Sequence, residues 1–159
     1  MPLTVSWRCP QKVIRLAKRL VPDIEAAPGA EEGSVKLNGD WTSAQAGDML
    51  ICRVNAPLIP KALAFIKDGK RAMVRGKDLG RGLRGMLKFL RGDTITEMLI
   101  HLRQYERNES TKIITLGERV DRKLAHLEDR VGCLAAILES CSAPHQAIER
   151  INQLKFTDE

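Results

Sequence analysis

Trp7 and Arg8 stand side by side in "TVSWRCPQKVIRLAKRLVP", where a strand-like segment gives way to a helical one. Thr4, Val5 and Trp7 are β-formers, whereas Val13, Ile14, Leu16, Ala17, Leu20 and Val21 recur at the three- and four-residue steps of one helix face. Pro10 suits the first turn of that helix and Pro22 stops it. The junction is thus the C-terminal end of a strand, the edge where open α/β sheets bind ligands. An indole and a guanidinium there make a candidate ligand contact; a core aromatic beside a surface charge is the other reading. "CRVNAPL", Cys52 to Leu58, repeats the pattern, with an arginine and an asparagine where an apolar run leads into a helix. Met49 to Val54 reads as a buried strand, in which the charge of Arg53 needs a partner, and a phosphate would serve. Asn55 either joins that contact or caps the helix starting near Pro57.

A third group lies between Lys67 and Arg91, where nine cations face only Asp68 and Asp78. Arg81, Arg84, Lys88 and Arg91 recur at steps of three, four and three, opposite an apolar stripe of Leu79, Leu83, Met86, Leu87 and Leu90. One buried face and one cationic face suit a polyanionic partner, nucleic acid first. The charge is local: residues 1–91 hold 17 Lys+Arg against 8 Asp+Glu, a net of +9, and the remainder nets −3.

Other chemistry is thinly represented. "GRGLRG", Gly80 to Gly85, spells G-x-G-x-x-G but lacks the following strand and acidic residue of a dinucleotide site. Its glycines are better read as allowing close approach to a neighbouring helix or a phosphate. The chain has no G-x-x-x-x-G-K-[ST] phosphate loop, G-x-S-x-G elbow or H-E-x-x-H helix. His101, His126 and His145 are too dispersed for a metal cluster, so no metal site is expected. The four cysteines, at 9, 52, 133 and 141, form no C-x-x-C pair, which suits a reduced, cytoplasmic setting.

The elements that would position these residues follow from the same pattern. At 159 residues, 43% hydrophobic and 29% charged, the chain is long enough for one domain with a core. It shows neither an apolar run long enough to span a membrane nor a signal peptide. "APGAEEGS" is a loop, "SVKLNG" a possible short strand, "APLIPKALAFIKDG" a helix closed by Gly69, and "RAMVRG" another strand. Alternating strands and helices predict an α/β layer. Beyond Gly92 helical spacing dominates: Ile95 to Leu102, a heptad-like series from Ile113 to Leu138, and a last helix from Pro144. We therefore expect an α/β part over 1–92 and an all-helical subdomain over 93–159. The heptad-like series suits intramolecular packing or self-association.

In continuous order over residues 4 to 91, W-R-C-P with its helix, "GDMLICRVNAPL" and "IKDGKRAMVRGKDLGRGL" resemble the UvrD/Rep/PcrA-like superfamily 1 DNA helicases, in the branch reading C-W-R-C-P. The resemblance implies a partial RecA-like parallel sheet with flanking helices, the first half of the second motor domain. It implies that Trp7 stacks on adenine, that Arg8 reaches the γ-phosphate as the catalytic contact, and that Arg53 and Asn55 touch single-stranded DNA. Spacing adds Lys77, Arg81 and Arg84 as followers of the phosphodiester backbone. ATP and Mg²⁺ would be cofactors of the full-length enzyme and not of this stretch alone. The phosphate loop and D-E pair would lie before Met1, in the first RecA-like domain, which would be a partner. The T-x-H-x-x-K-G motif would lie after "LKFTDE", and only about sixty residues stand where the family carries a large inserted domain. A self-contained nucleic-acid-binding or adaptor protein, using the basic helix and a long partner helix, is the alternative. An exposed sheet edge would be a second route to self-association.

Overall fold

Helices dominate the computed structural model, which describes residues 4–157 and adds two small parallel strand pairs. The chain divides into two compact units, Met1–Gln45 and Ala46–Glu159.

In the first unit, β1 (Val5–Ser6) and β2 (Glu25–Ala26) pair in parallel, Val5 opposite Glu25 and Ser6 opposite Ala26. The connection holds α1 (Gln11–Ala17). A helix start leaves backbone N–H groups without partners. Here the N–H groups of Gln11 and Lys12 donate to the carbonyls of Glu31 and Glu32, and the Gln11 side chain donates to that of Ala30. The helix gives way to turns after Ala17, before Pro22 is reached. Ile14 and Ala27 are the buried apolar residues among those described in this unit. The expected strand in "SVKLNG" is absent: residues 34–39 form no strand and Leu37 is exposed.

The second unit begins irregularly. Residues 49–54 are not the buried strand their apolar run predicts, since Met49 is 66% and Ile51 83% exposed and no strand is assigned there. An apolar run signals burial only when a second layer covers it, and strand formation needs a pairing partner. After a 3₁₀ turn at Ala56–Leu58 comes α2 (Ile59–Lys67), closed by Gly69 at φ +75° as its sequence predicts. β3 (Met73–Arg75) turns at Gly76 into α3 (Lys77–Phe89). The next helix, α4 (Ile95–Leu116), starts with a reciprocal cap: Thr94 Oγ1 accepts the Glu97 N–H, and the Glu97 carboxylate accepts that of Asp93. It ends at Gly117, φ +68°, and α5 (Val120–Glu139) returns against it as a hairpin. Then α6 (Gln146–Gln153) leads into β4 (Lys155–Thr157), which pairs in parallel with β3, Val74 opposite Phe156.

One core gathers Ile59 from α2, Leu83 and Met86 from α3, Met98 and Leu102 from α4, Leu127, Leu134 and Leu138 from α5, and Ile151 from α6. The boundary expected near residue 92 therefore falls inside the second unit. Of the heptad-like series, Leu127, Val131, Leu134 and Leu138 of α5 pack within the unit while Leu116, at the end of α4, is exposed, and the helical region closes with a strand that its sequence pattern does not predict. The architecture is mixed α/β. The single parallel sheet expected to carry β1, 49–54 and β3 is replaced among the described residues by two separate pairs.

Candidate nucleic-acid interface

On α3 burial follows the predicted face. Leu83, Met86 and Leu90 are buried, while Lys77, Arg81 and Lys88 are exposed and Arg84 is half-buried. The upstream cations Lys67, Lys70, Arg71 and Arg75, and Arg91 beyond the helix, are exposed as well. Arg81, Arg84 and Lys88 line an open groove of about 540 Å³ with Gly85, Leu87 and, from α6, Ile148. Its lining combines three cations with the apolar side chains of Leu87 and Ile148. Asp78 approaches Arg81 at 3.3 Å, one turn away on the same helix, with both side chains largely in water. Such a pair contributes little and yields readily to a phosphate.

The glycines of "GRGLRG" have separate tasks. A Cβ on buried Gly80 would stand 2.5 Å from the Phe156 ring, so the absent side chain admits β4's aromatic against the helix. At Gly82 a Cβ would meet Arg130 of α5 at 3.5 Å, ordinary contact. At Gly85 it would meet nothing within 4 Å, and this glycine opens the helix surface to solvent.

Arg53 lies in the irregular stretch and is exposed. The guanidinium of Arg53 is therefore solvated, and burial does not oblige it to meet a phosphate. Asn55 is half-buried, and it does not cap the following turn with its own side chain. Asp129 of α5 does so instead: its Oδ1 accepts the N–H groups of Asn55 at 2.6 Å and Ala56 at 2.9 Å, while its Oδ2 accepts the Asn55 side-chain amide at 2.7 Å. One turn further along α5, Gly132 lets the turn come close, since a Cβ there would stand 2.9 Å from that of Ala56. Cys133, fully buried beside Asp129, has its thiol pushed up to about 12 by burial first and then by the neighbouring carboxylate. It stays protonated at neutral pH and is no nucleophile. Sequence reading missed Asp129, one acid among several on a long helix.

In the first unit, Trp7 follows β1 directly and is 78% exposed, with Arg8 exposed beside it. The core-aromatic reading of Trp7 is thereby excluded. No group of three or more His, Cys, Asp or Glu side chains suited to a metal occurs among the described residues. No helix of the described residues is long and apolar enough to cross a membrane, and all four cysteines are free thiols. Comparison with family models, curated proteins and solved structures returns no match to this chain.

Proposed function

We propose that this chain is a single-stranded-DNA-binding part of an ATP-dependent superfamily 1 DNA helicase, with the cationic face of α3 as its DNA contact. The observation that carries the reading is the two-sided burial of α3: its apolar stripe packs on the core, while Lys77, Arg81 and Lys88 are exposed and Arg84 half-buried, the last three cations of the helix lining a groove. Lys77, Arg81 and Arg84 then follow phosphates through electrostatics that carry little sequence preference. In this reading the parallel pairs β1–β2 and β3–β4 are pieces of a RecA-like motor domain. The solvent-facing Trp7 and Arg8 at the C-terminal end of β1 are available for the adenine and γ-phosphate contacts that the resemblance implies. Those ATP roles rest on the resemblance, as does the DNA role of Arg53. Asn55 enters chiefly as the residue that ties the turn beside Arg53 to Asp129.

Anisotropy titration of labelled oligothymidylate at several salt concentrations tests the DNA contact. Affinity should fall linearly on a log–log plot, and Arg81→Ala and Arg84→Ala should each flatten the slope by about 0.7. An unchanged slope in both variants, or no binding at low salt, rejects it. For the motor assignment, Arg8→Ala in an enzyme that also carries the phosphate loop should reduce ATP turnover far more than DNA affinity. Equal losses in both would reject the γ-phosphate role.

A further inference from the structure

The cationic face of α3 carries one residue that phosphate attraction does not explain. Phe89 is 78% exposed at the last position of the helix, beside Lys88. Its neighbours on the core side, Met86 and Leu90, are buried, so the helix has an apolar face that Phe89 does not join. Residues four apart share a helix ridge. By that spacing Arg81, Gly85 and Phe89 form one ridge, and Arg84 and Lys88 form the ridge beside it. Gly85, in the middle, offers open space where any other residue would present a side chain. Two cations therefore precede a bare stretch of backbone, and a third cation and an unburied aromatic ring follow it.

We propose that this ridge is a single-strand subsite in which one nucleobase stacks on Phe89. The adjoining sugar crosses the gap at Gly85, and the flanking phosphates meet Arg81, Arg84 and Lys88. At about 1.5 Å rise per residue the cations from Arg81 to Lys88 extend over roughly 10 Å, a length that suits a short run of backbone instead of one isolated anion. Unpaired bases present faces that a duplex hides, and stacking on an aromatic tolerates any base. The ring thus selects for single strands where the cations alone would bind any polyanion. The subsite rests on the DNA-binding reading above and adds to it a residue and a strand preference.

The decisive experiment compares Phe89→Ala, Phe89→Trp and Gly85→Leu with the unaltered chain, each titrated with oligothymidylate and with a duplex of equal length. Phe89→Ala should weaken single-strand binding by about 5- to 100-fold while its salt slope stays unchanged, and Phe89→Trp should retain affinity. Gly85→Leu should also weaken it, although a leucine there favours the helix. Circular dichroism and thermal melting of each variant report folding separately. Normal single-strand affinity in Phe89→Ala, with Arg81→Ala still impaired, would overturn the subsite and leave DNA binding by α3 standing. Equal losses on duplex and single strand in Phe89→Ala would overturn it too. So would a self-associated chain that Phe89→Ala makes monomeric with DNA affinity untouched, which would assign the ring to a second copy. No binding by any form, the unaltered chain included, would reject the DNA-binding reading itself.

Discussion

Asp129, which no sequence motif singles out, ties the turn before α2 to α5. One carboxylate accepts three N–H groups from Asn55 and Ala56, so it fixes the start of a turn 74 positions away in sequence. Replacing it by alanine leaves those donors without their acceptor in a half-buried setting, and Asp129→Ala should cost about 1–3 kcal/mol in urea unfolding. Its neighbour Cys133 gives the same corner a pH signature. The thiol ordinarily titrates at 9.0 and is held at about 12, so the folded state keeps a proton that the unfolded chain gives up first. Stability from that site is fully present below pH 9 and is lost as pH rises from 9 toward 12. The stability difference between the unaltered chain and Cys133→Ala should therefore shrink above pH 9, and a constant difference would refute the assignment. Little of this was legible in the sequence. Asn55 at a helix start suggests a local cap, but the acceptor comes from a distant helix, and residue spacing carries no information about contacts at that range.

α3 is the element whose sequence was most readable, because a long amphipathic stripe leaves few other ways to bury its leucines. Short elements were least readable. The three residues of β4 carry too little pattern to announce a strand, and they form one because β3 offers its edge. Met49 to Val54 shows the opposite failure, a strand-like composition with no assigned pairing. The glycines of α3 make a prediction with opposite signs on one helix. Gly80→Ala drives a Cβ into the Phe156 ring and should destabilise by about 1–3 kcal/mol. Gly85→Ala meets empty space and should stabilise by up to about 1 kcal/mol through helix propensity. Thermal melts of the two variants shifting in the same direction would contradict this account.

The two units are unequally equipped. The second has a continuous core from five helices, whereas among the described residues of the first Ile14 and Ala27 are the buried apolar ones, and Trp7, Leu20 and Leu37 face solvent. Thin cores open at low free energy. Native-state hydrogen exchange should show the amides of α1 and β2 exchanging much faster than those of Leu127 to Leu138 in α5, and uniform protection would overturn that ranking. β3 and β4 are immediate neighbours, yet everything from Gly76 to Leu154 is looped out between them. Because the strands run in the same direction and are three residues long, the exit and re-entry points of that excursion are only about 10 Å apart along the strands. The closing strand therefore depends on the excursion it ends: α3 to α6 furnish most of the core, and only once they are packed is Lys155–Thr157 delivered to the edge of β3.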